Sequence, residues 1–409
     1  MSRESGTYDI IKKTEAETLT TFQEEIPSIL FSHLGEDDYK RYIRNAEHTF
    51  RDHLKFPPKM FSGAELIDFG AGTGENTIYF ANWGATCTLV EMNEQAQTIA
   101  REVFSKYAER EEGHAFVCSS IFDYSPKDQK KYDIVHCCGV LAHTAAKEDA
   151  FRKIAQFVKP GGFLIFSDPN KAGGFQNMLQ RFAVYQFASS PDEMVEVCEL
   201  LFKEDIDRSE RFVPRTRRAI IFDRWVIQSQ DDPSVAEVVT WAQESGLRMY
   251  SCYPPILPPL FGDSAHHQPK LDPYKFHEFF SIAEMTWMLQ TDSDLNFLSP
   301  IASQIGEFAL SLERLTTLVA NYNKNSELDE RKFNVLFRGL LESSEKVSIF
   351  QPLRDKLRDF AQEAEQFIST VNQGDIVKVR ALIERNQHLF KGACGVRDVY
   401  YIMFRPHSI

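Results

Sequence analysis

The sequence has no stretch of about 18 consecutive apolar residues, the length a membrane-spanning helix needs, so no transmembrane helix is expected. Its N-terminus, MSRESGTYDIIKKTEAE, lacks the apolar centre of a secretion signal. A soluble, cytoplasmic protein is the expectation. No CxxC pair occurs among the seven cysteines, and Cys118, Cys137 and Cys252 sit inside apolar runs; they read as reduced core residues rather than disulfides or zinc ligands. The adjacent His266 and His267 lie in a Pro-rich stretch without an acidic triad nearby, so no metal is expected. Positive charge is scarce: 46 Lys and Arg against 59 Asp and Glu give a net charge of −13, which repels nucleic acid unless a local basic patch overcomes it. Internal repeats and low-complexity segments are absent as well.

What is present is a substantial apolar fraction, 43% of 409 residues, enough for two domains or one domain with a large insertion. Residues 8–60 read as helical and amphipathic, with Tyr39, Tyr42, Ile43, Phe50 and Leu54 spaced by one or two helical turns up to the stop at Pro57 and Pro58. From residue 64, short apolar runs alternate with helical segments: ELIDFG, TCTLVEM, HAFVCSSI, YDIVHCCGV and FLIFSDP as strands, the last preceded by a turn at Pro160-Gly161-Gly162. This alternation predicts an α/β fold whose parallel sheet is covered by helices on both faces.

Residues 171–222 break the rhythm with Gly173-Gly174, several aromatics and a run of arginines, and read as a helical lid over the strand ends. A helix, SVAEVVTWAQES, and a strand, LRMYSCY, follow, and a Pro-rich stretch from Pro254 to Pro259 marks a boundary. Residues 273–390 are mainly helical, and VRDVYYIMFRP is a final strand. A strand so distant must pair somewhere, and the economical place is beside LRMYSCY. The expected organisation is therefore a helical segment at 1–60, a core made of 61–260 with 395–409, and a helical insertion at 261–394 between the last two strands.

The chemistry-bearing signal is Asp68-Phe69-Gly70-Ala71-Gly72-Thr73-Gly74, placed between a strand and a helix so that backbone can approach a ligand closely. A G-x-G-x-G turn alone also suits NAD enzymes. Here an acidic residue precedes it: Asp68 would repel a pyrophosphate but can pair with an ammonium group. Glu91 ends the next strand, where a carboxylate can accept from both hydroxyls of a ribose. Gly139 follows the fourth strand.

Together, LIDFGAGTG, LVEMN, YDIVHCCGVLAHT and FVKPGGFLIF resemble the class I S-adenosylmethionine-dependent methyltransferase family, bacterial small-molecule type, over roughly residues 60–170 and more loosely through LRMYSCYPP. The resemblance implies a Rossmann-like seven-stranded sheet and S-adenosyl-L-methionine as cofactor. It implies that Gly70, Gly72 and Gly74 line the methionine and ribose, and that Asp68 faces the methionine amino group. It further implies that Glu91 binds the ribose, that Met92, Ile121 and Phe122 flank the adenine, and that Gly139 touches the methionine. Ser120 is placed with the cofactor-binding residues, at the position where members often carry Asp to accept from the adenine amino group, and Ala142 precedes His143 where many carry a histidine pair.

Methyl transfer from a sulfonium depends mainly on alignment and exclusion of water, with proton removal where needed. His143 and Asp168, just beyond the fourth strand and at the end of the fifth, are the candidate bases; the alternatives are a helix-capping or backbone-bonding histidine and a turn aspartate. Arg208, Arg211, Arg215, Arg217, Arg218 and Arg224 suit either a clamp for a carboxylate or phosphate, with Arg215 and Arg218 foremost, or a solvated helix face. Tyr185, with Phe182 and Phe187, suits an acceptor wall or internal packing. The expected partner is a small-molecule acceptor, with an RNA substrate or a non-catalytic interaction role as competing readings. The helical insertion suits a homodimer interface or a cover.

Overall fold

The computed structural model describes residues 2–26, 36–110, 112–126, 129–212, 215–256, 277–288, 302–323, 327–347, 353–391 and 398–407. His266 and His267 lie outside the described residues. A seven-stranded sheet runs in the order β3-β2-β1-β4-β5-β7-β6. Its strands are β1 (Glu65–Phe69), β2 (Thr86–Glu91), β3 (Ala115–Cys118), β4 (Tyr132–Cys138), β5 (Val158–Pro169), β6 (Arg248–Tyr253) and β7 (Asp398–Phe404). The first five are parallel, and β7 lies antiparallel between β5 and β6. The terminal strand thus pairs with LRMYSCY, and the described residues between the two are outside the sheet.

Alternation along each strand decides which side is which. Ile67, Phe69, Val135 and Leu164 enter one apolar body, while Leu66, Leu89, Ile134 and Ile165 enter another on the opposite face. The helices that cover the sheet are α2 (Glu36–His48), α3 (Ile78–Asn82), α4 (Glu94–Tyr107) and α5 (Lys147–Ala155), with α10 (Val235–Glu244) returning beside β6; α1 (Ser2–Glu24) lies instead against the loops that follow the strands. Asn93 starts α4 by accepting from Gln95 N–H and Ala96 N–H, and a Ser234/Glu237 capping box starts α10.

The remaining helices are α6 (Phe175–Phe187), α7 (Pro191–Leu201), α8 (Lys203–Phe212), α9 (Arg217–Ile221), α11 (His277–Met288), α12 (Ala302–Ala320), α13 (Glu330–Glu345), α14 (Arg354–Asn372) and α15 (Ile376–Arg385). They share a third apolar body: Phe175 and Phe182 of the lid, with Trp225 just after it, pack with Phe333, Phe337, Phe360 and Phe367. The lid is therefore braced by the helical block and is not a detached flap. Among the described residues no helix is long and apolar enough to cross a membrane.

Two local expectations change. Pro160-Gly161-Gly162 is carried within β5 rather than forming a separate turn, because the strand begins by pairing Val158 with Tyr132 and resumes after a register irregularity. Cys118, expected in the core, is exposed, because β3 is the edge of the sheet.

Candidate active site

In an open parallel sheet the crevice forms outside the carboxyl ends of the strands where chain direction reverses, here between β1 and β4. A cavity of about 630 Å³ occupies that position. Its floor is the turn after β1. Gly70 adopts φ +70°, and its N–H donates to Val90 O at 2.8 Å, pinning the turn to β2. A side chain at Gly70 would strike Val140; at Gly72, also in the left-handed region at φ +53°, a Cβ would point into open space. That open cradle is the kind of surface a ligand's backbone-contacting portion requires.

Glu91 lies on the lining, and its two oxygens are oriented by backbone: Gly72 N–H donates at 2.9 Å and Asn93 N–H at 2.8 Å. Met92 N–H is a third backbone donor, which leaves the carboxylate lone-pair capacity for one ligand hydroxyl. Burial holds Glu91 above the usual carboxylate range, against the lowering from those N–H groups. Met92, Ser120, Ile121, Phe122 and Gly139 also line the cavity, the Ser120 hydroxyl accepting from Asp123 N–H at 3.2 Å. A carboxylate beside a glycine cradle, flanked by an apolar pair, fits a sulfonium nucleoside.

Two residues of the turn lie elsewhere. Gly74 faces α4, where a Cβ would meet Ala100 and Phe104, so it serves packing. Asp68 is buried beneath the floor, accepting from Thr77 Oγ1 at 2.5 Å and bonded to His136 Nδ1 at 2.7 Å; it is absent from the lining, and its carboxylate turns to β4 rather than to an ammonium group.

The expected acceptor residues separate likewise. His143 lines the cavity, its Nδ1 2.8 Å from Ser229 O and its ring edge-on to Phe22. Asp168 is buried off the lining, where it accepts from Ala142 N–H at 3.1 Å and so holds the 141–143 turn to the end of β5. Arg215 lines the cavity and pairs with Asp223 at 2.9 Å. Arg218 points away to Asp192, Glu24 and Glu25. Tyr185 donates to Ile227 O at 3.1 Å inside the lid, which explains its burial without an acceptor.

The strongest surprise is α1. Thr18, Leu19 and Phe22 close one side of the cavity. Lys12 pairs with Asp123 at 2.5 Å, Asn93 Nδ2 donates to Phe22 O at 3.2 Å, and Glu24 and Glu25 meet Arg218, so the helix straps the sheet to the lid. Tyr42, Asn177, Asp205, Ser209, Arg224 and Tyr400 complete the far wall. Arg224 pairs with Asp205 at 2.8 Å; burial pushes Asp205 up, but Arg224, Gln180 and Arg208 outweigh it and hold the carboxylate well below its usual range. Only the arginine cluster and the amphipathic N-terminus hinted at this wall. Among the described residues no group of three or more His, Cys, Asp or Glu is placed to hold a metal ion.

Comparison with known proteins bears on this geometry. A methyltransferase-domain family model matches residues 39–200. The ubiquinone biosynthesis O-methyltransferase of Salmonella arizonae is 30% identical over 112 residues, 27% of this chain and 45% of that protein. Its counterpart from Vibrio parahaemolyticus is 30% identical over 113 residues, with the same shares. The chain thus spans about half the length of the curated relatives it matches. A solved magnesium protoporphyrin IX methyltransferase from Synechocystis, with bound S-adenosylmethionine, is similar at a TM-score of 0.29 and 13% identity, over 53% of this chain and 69% of that one.

Proposed function

Because the chain carries a class I S-adenosylmethionine-dependent methyltransferase domain, we propose that it transfers a methyl group to a polar small molecule seated between the cofactor turn, α1 and the lid. The observation that carries this reading is the continuity of one cavity from Gly72 and Glu91 to Asn177, Asp205 and Arg215.

When bound, S-adenosylmethionine supplies a methyl group already activated by a positively charged sulfur. Gly72 and Glu91 would hold its sugar end, Met92, Ile121 and Phe122 its adenine, and Gly139 its methionine portion. With the leaving group activated in advance, the work left to the chain is to align the acceptor, exclude water and remove a proton. Phe22 and Leu19 of α1 exclude water, and the far wall aligns the acceptor. That wall matches each cation with a carboxylate, Arg215 with Asp223 and Arg224 with Asp205. It therefore favours a hydroxyl-, amine- or amide-bearing acceptor of balanced charge over an isolated anion. His143 is one candidate for the base.

A nucleic-acid acceptor is disfavoured because the arginines that open α9 are already engaged, Arg217 with Glu199, Asp207 and Glu210, and Arg218 with Asp192, Glu24 and Glu25. The test has two stages. Calorimetry should give stoichiometric binding of S-adenosylhomocysteine. Incubation with methyl-labelled S-adenosylmethionine and a fractionated cell extract should then put label into the low-molecular-weight fraction. Label confined to RNA or to polypeptide, or no binding of S-adenosylhomocysteine, would refute the reading.

A further inference from the structure

Asp68 at the end of β1 stands opposite His136 in the register of β1 with β4, and Cys138 is two residues further along β4, on the same face as His136. The pairing aligns three side chains in a row. Asp68 Oδ1 is 2.7 Å from His136 Nδ1, and His136 Nε2 is 3.1 Å from Cys138 Sγ. Thr77 Oγ1 donates to the other Asp68 oxygen and fixes the carboxylate. An Asp68 carboxylate accepting from Nδ1–H selects the tautomer whose Nε2 lone pair faces the thiol.

The row runs from the interior to the cavity. Asp68 and His136 are 2% and 3% exposed, while Cys138 is half-buried and lines the cavity beside Gly139. Burying a carboxylate and an imidazole beneath a ligand turn costs desolvation that an apolar trio of similar volume would avoid. Burial draws the His136 ring down, but Asp68 and Cys138 outweigh it and hold it above its ordinary value; burial pushes the Cys138 thiol up while His136 draws it back. The titratable groups facing the thiol are His136 on its own strand, its neighbour Cys137, Asp68 from β1, Asp168 from β5 and Tyr79 from α3.

We infer that Asp68, His136 and Cys138 form a proton relay for the transfer proposed above, with Cys138 as the group that meets the acceptor. The relay works from the neutral ring: the acceptor's O–H or N–H gives its proton to the sulfur as the sulfur's own proton passes to the free His136 Nε2, so the raised ring must first release its Nε2 proton to solvent and kcat should rise as pH rises through its value. The electron pair of the broken bond stays on the acceptor atom, which becomes the nucleophile. Asp68 stabilises the imidazolium and acts as a positioning residue. The inference rests on the reading of the cavity as a methyl-transfer site, and its test is separable from that reading.

Carbamidomethylation by iodoacetamide, followed for each cysteine by peptide mass spectrometry across neutral and alkaline pH, reads the thiol directly. Exposed Cys118 serves as the internal reference. In wild type, S-adenosylhomocysteine should shield Cys138 and leave Cys118 unaffected. In H136Q the Cys138 profile should move to higher pH, with roughly tenfold slower alkylation near neutrality. C138A should lower kcat about a hundredfold and change its pH profile, C138S should recover part of the loss, and KM for the cofactor should hold. An H136Q protein with wild-type melting and S-adenosylhomocysteine binding but an unchanged Cys138 profile overturns the relay. If H136Q does not fold, an unchanged kcat and pH profile in C138A overturns it instead. If wild type transfers no methyl group to any fraction, the functional reading fails, and the alkylation arm still decides whether the coupled thiol exists.

Discussion

The two walls of the cavity are assembled from opposite kinds of information. The cofactor wall comes from residues 70–73 with 75 and 76, 90–93 with 96, and 119–122, each group within a few positions of a strand end. The acceptor wall comes from α1, Tyr42, α8, α9 and Tyr400, which are brought together only by packing across the whole chain. A backbone turn can be specified by a few neighbouring residues, whereas a wall of side chains from distant elements depends on every element that braces it. The first wall should therefore fail locally and in binding, the second globally and in acceptor recognition.

The largest expected effect tests the local wall. Gly70→Val places a branched side chain at φ +70° and against Val140. Strain and overpacking together should cost about 2–5 kcal/mol of stability and abolish binding of S-adenosylhomocysteine. Thermal melting and calorimetry on the same protein check both. Near-normal binding would mean that the turn is not the cofactor floor.

Next is the buried pair of the distant wall. Asp205→Ala strips Arg224 of its carboxylate at a site where both side chains are mostly buried, and should cost about 3–5 kcal/mol. The sign of the pH effect follows from the direction of the shift. Asp205 is held below its ordinary value, so its stabilising contribution is present above about pH 4 and is lost as pH falls through the lowered folded value. Urea denaturation of Asp205→Asn should therefore show a flatter acid limb than wild type, with affinity for S-adenosylhomocysteine unchanged. A matching loss of that affinity would erase the division between the walls.

Glu91→Gln probes the first wall without a steric change. Gly72 N–H and Asn93 N–H would each meet a weaker or wrongly polarised partner, and the ligand would lose a charged acceptor. S-adenosylhomocysteine should bind roughly ten- to a hundredfold more weakly, with stability nearly intact, since the carboxylate is already held uphill by its own burial.

The same division explains which features were legible in the sequence. The sheet, its helices and the return of VRDVYYIMFRP to LRMYSCY followed from periodicity and the need of a strand for partners. Gly70, Gly72, Glu91 and the 120–122 stretch followed from local motifs. Asp68 was legible as a residue but not in its direction: its orientation depends on His136 occupying the facing register position, a cross-strand fact that no linear spacing encodes. Tyr185 was an aromatic in the right segment, but Ile227 claimed its hydroxyl from forty-two positions away. The strap formed by α1 was hidden for the same reason, because its partners, Asp123 and Arg218, lie far along the chain.

The smallest expected effects lie in the arginine cluster, where neighbours in sequence part company in space. Arg215 meets Asp223 on the cavity lining, while Arg218 reaches Asp192 and the end of α1 outside it. Arg215→Ala should raise the acceptor's KM by roughly three- to tenfold, since it removes one polar contact from a partly buried site. Arg218→Ala breaks exposed ion pairs that are screened by salt and worth less than about 1 kcal/mol, so acceptor KM should stay at the wild-type value. Its only trace should be a slight loosening of the strap, seen as faster amide exchange in the last turn of α1 at low ionic strength and gone at high. Equal KM effects from the two substitutions would carry the acceptor wall around α9 to its outer face, and the contrast between a local floor and a braced far wall would have to be redrawn there.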